Sequence, residues 1–315
     1  SNGGGIYLSQ SSQVTTTFKN GEISECVSQL GSAIMLMGSG ALVLMDSDVK
    51  DCISGGGTTN NSGGAIRTYG SVDASLYLTR VNFTGNKAKR NKNWDNTLAK
   101  DANGGALFWN ARGKDTTKCV IDGCTFSGNS SEDNGGAIKS QATLVFRGAQ
   151  TEITGNTAPV GAGLYIEGYQ GGSGVSGERT INYDLNQYMY IHDNIAPAYQ
   201  YGGETFPGRG AGVHLYFGPE MTLEANSTIN LNMVGARIEN NHAGGRIQSE
   251  DGIVSESASA GGLGGGIYFE NTSLEEKGYD FNILLNYGTV SDNSASQGAG
   301  IYVSKGSIGP EETQE

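Results

Sequence analysis

Hydrophobic and polar residues alternate along most of the chain, and this period of two is typical of β-strands. In the clearest example, four apolar side chains share one face, with one break of phase at a bend: Leu76, Leu78, Val81 and Phe83. The segments 222–238 and 281–290 repeat this design. No segment shows the 3.6-residue period of an amphipathic helix. The pattern therefore predicts an all-β protein.

A glycine corner recurs along the chain, in which two or three small residues precede an aliphatic one. Its last small residue falls at nine positions: Gly5, Ala33, Ala65, Ala106, Ala137, Gly163, Gly212, Gly266 and Gly300. The spacings run from 26 to 54 residues, and five of the eight lie between 26 and 34. Self-similarity at such a period predicts a solenoid whose coils carry loops of unequal length.

A second corner, apolar-x-x-Asn, precedes the glycine corner in most repeats. Its asparagines are Asn86, Asn129, Asn156, Asn194, Asn241 and Asn293. The residue before each asparagine is Gly, Asp or Asn, the types that best tolerate the left-handed backbone region. We expect a sharp bend there, with the asparagines turned inward and stacked in a structural ladder about 4.8 Å apart.

Together the two corners predict a single-stranded, right-handed parallel β-helix of about nine to ten coils with long loops on one edge. We expect residues 1–308 to form this solenoid as an excerpt of a longer one, and residues 309–315 to form a polar tail or linker. One coil cannot offset its own ordering entropy, so neighbouring coils must stabilise each other.

Composition agrees with a slender, glycine-rich solenoid and narrows the classes of partner. The chain has 51 glycines, 5 prolines and only 36% hydrophobic residues. Its net charge of −12 disfavours a nucleic-acid partner, because phosphate backbones are bound by clustered Lys and Arg. No apolar run approaches the roughly 20 residues that span a bilayer, so this segment is not expected to cross a membrane.

Four insertions interrupt the repeats, and they supply the first set of candidate binding residues. They cover residues 87–103, 169–179, 197–209 and 242–263. Three of them follow an asparagine corner, so they should leave the same edge of the scaffold, where loops commonly bind partners. Their aromatic residues are the candidates: Trp94, Tyr199, Tyr201 and Phe206.

A second candidate set follows the glycine corners. The position after each aliphatic residue should point outward, and it is occupied by Tyr7, Met35, Arg67, Phe108, Lys139, Tyr165, His214, Tyr268 and Tyr302. An outer stripe of aromatic rings could stack on sugars or anchor a protein, with Tyr165, His214, Tyr268 and Tyr302 as candidates. The alternative is that Tyr and Phe simply suit strands.

The four cysteines do not form a Cys-x-x-Cys pair. Cys26 and Cys52 occupy equivalent places in successive coils, at a separation that a disulfide accepts; unlinked thiols are the alternative. Cys119 and Cys124 align with the inward Leu76 and Val81, which indicates small core residues.

Catalytic and metal-binding patterns are weak. Asp193 and Asp292 fall in the bend position that glycine fills elsewhere, so a structural role explains them. Asp46, Asp48 and Asp51 indicate a solvated face, with weak Ca²⁺ binding as an alternative. The three histidines, His192, His214 and His242, lack metal-ligand spacing. We therefore expect no catalytic residues, no metal site and no cofactor.

The pairing of Gly-Gly-Ala-Ile/Leu with Phe-x-x-Asn resembles the repeats of the chlamydial polymorphic membrane proteins. Ala65-Ile66, Ala106-Leu107 and Ala137-Ile138 carry the first motif, and Phe83 to Asn86 and Phe126 to Asn129 carry the second. Later coils depart from it, with Gly for Ala and Ile or Val for Phe. The resemblance implies a surface-exposed, adhesin-like β-helix of the autotransporter-passenger kind.

These observations lead to one expected function and two alternatives. We expect a non-enzymatic, extracellular segment of a bacterial cell-surface protein, acting as stalk and display scaffold for adhesion to a glycan or to a host or bacterial surface protein. One alternative is a carbohydrate-active β-helix enzyme, either a polysaccharide lyase or a glycoside hydrolase. The other is a surface fibre or layer component that self-associates end to end through open β-edges.

Overall fold

The computed structural model describes residues 4–10, 14–55, 62–68, 74–90, 102–110, 118–168, 180–218, 228–271 and 280–304. Within these ranges the chain contains strands and no helix. Nearly all strand pairs are parallel, and strands that share a sheet position come from successive sequence repeats. The candidate residue Trp94 and the proposed tail 309–315 lie outside the described ranges.

A nine-stranded parallel sheet, here called sheet 1, contains the glycine corners. Its strands, in order across the sheet and along the chain, are Ile6–Gln10, Ile34–Gly38, Ile66–Thr68, Leu107–Trp109, Ile138–Ser140, Leu164–Glu167, Val213–Phe217, Ile267–Asn271 and Ile301–Ser304. The aliphatic residue of each corner is in register with that of the next, for example Ile34 with Ile66 and Leu107 with Ile138. Equivalent positions of successive sequence repeats are therefore paired side by side in the sheet.

A twelve-stranded sheet, here called sheet 2, lies across the core from sheet 1. Its strands are Thr15–Lys19, Glu22–Ser24, Ala41–Lys50, Ser75–Thr84, Cys119–Asp122, Thr125–Ser127, Leu144–Phe146, Thr151–Thr154, Thr180–Asn186, Met189–His192, Thr228–Glu239 and Asp280–Ser291. Leu76, Leu78, Val81 and Phe83 are all fully buried. The break in their alternation is Arg80, whose φ of 50° makes the bend and whose side chain pairs with Asp46 at 2.6 Å.

Shorter strands close the gap between the asparagine and glycine corners. One parallel set of four comprises Val27–Ser28, Ile53–Ser54, Lys87–Ala88 and Ser130–Ser131. Two parallel pairs join Ser62–Gly63 to Ala102–Asn103 and Gly208–Arg209 to Gly262–Leu263. The last set of four comprises Ile195–Tyr201, Glu204–Phe206, His242–Gln248 and Val254–Glu256.

Aliphatic and aromatic side chains from sheets 1 and 2 meet in one continuous core. Equivalent core residues stack on each other, and the rings of Phe83 and Phe126 lie parallel with centroids 4.7 Å apart. Because each core side chain contacts its counterparts in the neighbouring repeats, burial is shared along the stack rather than completed within one repeat.

The six corner asparagines form a continuous buried column. Each Nδ2 donates to Oδ1 of the next asparagine at 2.9–3.0 Å, from Asn86 through to Asn293. Each backbone N–H in the column donates to the same Oδ1. The residue before each asparagine has a φ between 53° and 65°. The side chains thus satisfy backbone groups that the bend removes from the strand ladder.

Cys26 and Cys52 extend the asparagine column at its N-terminal end. The backbone N–H of Cys52 donates to Oδ1 of Asn86 at 3.1 Å, and the residues before the two cysteines, Glu25 and Asp51, have φ values of 54° and 53°. Both cysteines are free thiols in this structure. They occupy the asparagine slot, where the thiol of Cys52 contacts the carbonyl oxygens of Ile23 and Lys50.

We expect the native thiols to differ sharply in reactivity. Burial raises the pKa of Cys52 to about 11, and Cys119 and Cys124 are also buried, whereas Cys26 is half-buried. Since the thiolate is the reactive form, iodoacetamide should alkylate Cys26 first in the folded protein and all four cysteines after denaturation. Mass spectrometry of timed samples would measure this. A Cys26→Ser variant should take up almost no label while folded; equal rates at Cys26 and Cys52 would contradict the prediction.

Candidate functional site

The insertion at residues 197–209 forms a β-hairpin at the scaffold edge. Strands Ile195–Tyr201 and Glu204–Phe206 pair antiparallel, with Tyr199 opposite Phe206 and Tyr201 opposite Glu204. The connecting residues, Gly202 and Gly203, both have positive φ, as a two-residue turn of this kind requires. The predicted loop 197–209 is therefore largely an ordered hairpin.

The insertion in the next repeat forms a second hairpin, which pairs with the first. Strand His242–Gln248 runs antiparallel to Val254–Glu256 and parallel to Ile195–Tyr201, with Ile195 aligned with His242. An ion pair between Arg246 and Glu256 at 2.8 Å joins its two strands. The two insertions thus form one four-stranded sheet at the same edge of the scaffold.

A cleft of about 540 Å³ separates the second hairpin from the body of the protein. The body contributes Lys87, Lys89, Ser130, Glu132 and Thr157, and the hairpin contributes Arg246, Gln248, Asp251, Ile253 and Glu256. The lining is therefore mixed: it carries both charges and also includes Ile253 and Val254, two exposed apolar side chains of the hairpin. Ile253 is 63% exposed.

Glu132 anchors the second hairpin to the body. Its backbone carbonyl accepts a hydrogen bond from Nε2 of Gln248 at 2.9 Å, and its carboxylate accepts one from the backbone N–H of Arg90 at 2.8 Å. Burial raises the pKa of Glu132, with a contribution from the charge of Asp251. A Cβ on Gly252 would lie 2.6 Å from Oε1 of Glu132, so the hairpin tip packs closely against this carboxylate.

The loop candidates within the described ranges lie on the first hairpin. Tyr199, Tyr201 and Phe206 are all half-buried, and the rings of Tyr199 and Phe206 stack with centroids 5.1 Å apart. The hairpin therefore presents a paired aromatic surface. Whether these residues bind a partner stays a prediction.

The second candidate set forms a column on sheet 1, here called the sheet 1 column. Its members are Tyr7, Met35, Arg67, Phe108, Lys139, Tyr165, His214, Tyr268 and Tyr302, and each is in register with the next. The expectation that this column faces solvent is wrong for seven of these nine residues, which are buried, including the candidates Tyr165, His214 and Tyr268. Tyr7 is exposed and Tyr302 is half-buried.

Two contacts account for the burial of the sheet 1 column. The side chains contact each other along the stack: the ring of His214 packs edge to face against the rings of Tyr165 and Tyr268, with centroids 5.1 Å and 4.7 Å apart. The glycine corner also passes over the ring four residues later, since a Cβ on Gly210 would lie 2.8 Å from Cβ of His214. Strand alternation shows which side of the sheet a residue is on, but not what covers that side.

Charged groups are buried with the column. Oε2 of Glu270 lies 3.2 Å from Nε2 of His214 and 3.4 Å from Nη1 of Arg209. Burial opposes ionisation of Glu270, but His214 and Arg209 outweigh it and lower the pKa of this carboxyl. Burial lowers the pKa of His214 despite its contact with Glu270. The cluster therefore favours a Glu270–Arg209 ion pair beside a neutral imidazole.

The carboxylates considered for catalysis or Ca²⁺ binding have structural partners. Asp46 pairs with Arg80, and Asp48 accepts a hydrogen bond from Asn82 at 2.9 Å. Asp51, Asp193 and Asp292 all have φ near 53–55°, which places them in the bend before the corner residue. Within the described ranges, no three His, Cys, Asp or Glu side chains are close enough together to hold a metal ion.

The pairing of the two hairpins is the feature that sequence reasoning missed. Its local signal is the Gly202-Gly203 pair between strand-like segments, which is a common two-residue hairpin turn. The contact between the hairpins has no local signal, because Ile195 and His242 are far apart in sequence.

Comparison with protein families gives one match, to the Chlamydia polymorphic membrane protein repeat, over residues 123–141. This stretch contains Phe126 to Asn129 and Ala137-Ile138, so both corner motifs are similar to that repeat. Comparison with curated proteins and with solved structures finds no match. None of the described residues forms a helix with the length and apolar character that a membrane crossing needs.

Proposed function

We propose that the chain is a non-enzymatic display scaffold of a bacterial cell-surface protein, and that the paired hairpins bind a surface glycan or protein. The single observation that carries this proposal is the parallel pairing of Ile195–Tyr201 with His242–Gln248 beside a cleft of about 540 Å³. Two insertions from successive repeats form one surface, and a rigid body supports it. Such a surface can recognise a partner without a catalytic group.

The proposed scaffold is a single right-handed parallel β-helix of about nine to ten coils. Support comes from the register of sheets 1 and 2, in which equivalent residues of successive repeats are paired throughout. The buried asparagine column supports it as well, because one column threads six successive corners.

The proposed location is extracellular, on the cell surface. Similarity of residues 123–141 to the Chlamydia polymorphic membrane protein repeat supports it, since that family consists of surface-exposed proteins. The proposal that the protein is not an enzyme rests on the structural roles of the carboxylates at Asp46, Asp48 and Asp193, which leave the cleft as the surface available for a partner.

Binding should depend on hairpin side chains that reach the surface, such as the exposed Ile253 and the half-buried Tyr201. We expect Ile253→Ser and Tyr201→Ala each to weaken binding by about tenfold or more, as loss of an anchoring side chain typically does. The purified protein would be tested on a glycan array and on epithelial cells, with release of sugar products followed in the same wells.

A matched control is available on the body of the protein. Val27 is 63% exposed, the same fraction as Ile253, and it does not line the cleft. Val27→Ser should leave binding unchanged. Equal binding by all three variants would contradict a role for the hairpins, and product release would contradict the non-enzymatic proposal.

A further inference from the structure

Lys139 is a buried lysine held between two aromatic rings. It belongs to the sheet 1 column and is 7% exposed. Its Nζ lies 5.6 Å from the ring centroid of Phe108 in the preceding strand and 5.0 Å from that of Tyr165 in the following strand. Neighbouring strands on both sides therefore fix the position of this amine.

Two polar side chains contact the same amine. Nζ of Lys139 donates to Oδ1 of Asn103 at 2.9 Å and lies 3.1 Å from Oε2 of Glu167. Asn103 is 2% exposed, and the Glu167 side chain is 14% exposed. Nε2 of Gln141 donates to the same oxygen of Glu167 at 2.7 Å and helps to hold it. A nucleophile, a carboxamide and a carboxylate thus meet in a nearly dry, aromatic site.

We propose that Lys139 and Asn103 form an intramolecular isopeptide bond, with Glu167 as the catalytic acid and base. Glu167 first takes a proton from the ammonium group. The neutral Nζ attacks Cγ of Asn103 while Glu167 returns its proton to the developing oxyanion. Glu167 then takes a second proton from Nζ and delivers it to Nδ2, and the Cγ–Nδ2 bond breaks with its electron pair on nitrogen. Ammonia leaves, the new Nζ–Cγ amide forms, and the remaining proton stays on Glu167 or leaves with ammonia as ammonium.

The surroundings favour each part of this reaction. Little water reaches the site, since Lys139 is 7% exposed and the Glu167 side chain is 14% exposed, so Glu167 is the group placed to exchange protons with the amine. The hydrogen bond of 2.9 Å from Nζ to Oδ1 places the nucleophile beside the carboxamide that it attacks, because Oδ1 is bonded to Cγ. Because strands hold both partners, the reaction proceeds at a high effective concentration of amine.

Two other contacts among the residues that the structure describes lack this combination. Lys50 and Glu22 form an ion pair at 2.7 Å, but both side chains are more than 40% exposed. Glu270 is buried, but its partners are the imidazole of His214 and the guanidinium of Arg209, and neither is a lysine amine. The Lys139 site differs from both because it contains a buried amine in contact with an amide.

The bond would join successive repeats covalently. Lys139 lies in strand Ile138–Ser140, and Asn103 precedes strand Leu107–Trp109, the neighbouring strand of sheet 1. The two residues are 36 positions apart. A bond at this place would prevent the two repeats from separating under load or in denaturant, as a disulfide does elsewhere.

Mass spectrometry of the intact chain and of its tryptic peptides would test the proposal. Trypsin cleaves after Lys100, Arg112, Lys118 and Arg147, and an acylated Lys139 resists cleavage. The expected product is a branched species that joins residues 101–112 to residues 119–147, with a mass lower than the sum of the two peptides by one ammonia. The intact protein should be lighter by the same amount.

Two variants separate the proposed reaction from other losses of ammonia. Lys139→Arg keeps the charge between the rings and removes the nucleophile, and Glu167→Gln keeps the size and removes the base; neither should yield the branched species. Lys50→Arg is the control and should still yield it.

Asn103 precedes Gly104 and could lose ammonia by cyclising on its own backbone, but residues 101–112 would then be recovered as a separate peptide. Separate peptides from the wild-type chain, with or without loss of ammonia, would overturn the proposal.

Discussion

Asn156→Ala is expected to lower the free energy of unfolding by about 4 kcal/mol, because it leaves buried donors without acceptors. Oδ1 of Asn156 accepts hydrogen bonds from both N and Nδ2 of Asn129, at 2.9 and 3.0 Å. Its Nδ2 donates to the carbonyl of Phe126 and to Oδ1 of Asn194, both at 2.9 Å. Alanine removes all four bonds, and no water reaches this fully buried site to replace them.

An exposed asparagine ladder provides the control for this prediction. On sheet 2, Nδ2 of Asn230 donates to Asn182 at 2.9 Å, and Nδ2 of Asn282 donates to Asn230 at 3.0 Å. These bonds have the same lengths as those of the buried column, but water can replace them. Asn230→Ala should therefore cost less than about 1 kcal/mol. Urea denaturation followed by circular dichroism would compare the midpoints, and similar losses for the two variants would show that burial is not the cause.

The columns of the fold could be predicted from sequence because each is a strict local motif. Apolar-x-x-Asn places an apolar side chain in the core, a left-handed residue at the bend and an amide in the column. All three positions are determined by a motif of four consecutive residues. Cys26 and Cys52 occupy positions equivalent to the asparagines, because each also follows a left-handed residue at the bend. They were not recognised as members of the column, because a thiol lacks the amide that defines the motif.

The burial of the sheet 1 column and the pairing of the hairpins could not be read from sequence. Alternation shows that Tyr165 and His214 are on the outer side of sheet 1, but their burial depends on edge-to-face ring contacts between repeats and on the path of the corner backbone. The contact of Lys139 with Asn103 and Glu167 has the same origin, because three separate repeats supply its parts. Positions that depend on two or three repeats at once carry no signal within any one of them.

Gly136→Ala is expected to prevent folding, or to lower the free energy of unfolding by more than about 3 kcal/mol, because a methyl group has no space at this corner. A Cβ on Gly136 would lie 2.4 Å from the carbonyl oxygen of Ala162 and 2.8 Å from the carbonyl group of Thr157. Both obstacles are backbone atoms of the next repeat and cannot rotate away. The φ of Gly136 is not in the left-handed region, so the effect would come from space alone.

Gly261→Ala is the matched control, since it tests the same change without the obstacle. A Cβ added to Gly261 would have Cβ of Pro207 as its nearest neighbour, at 3.8 Å. The φ of Gly261 is also outside the left-handed region. Alanine there should be neutral or should stabilise by up to about 1 kcal/mol, because it restricts the unfolded chain. Soluble yield and urea midpoints would be measured for both variants. If Gly136→Ala remained soluble with an unchanged midpoint, neighbouring repeats could not be packed as closely as the register of sheet 1 requires.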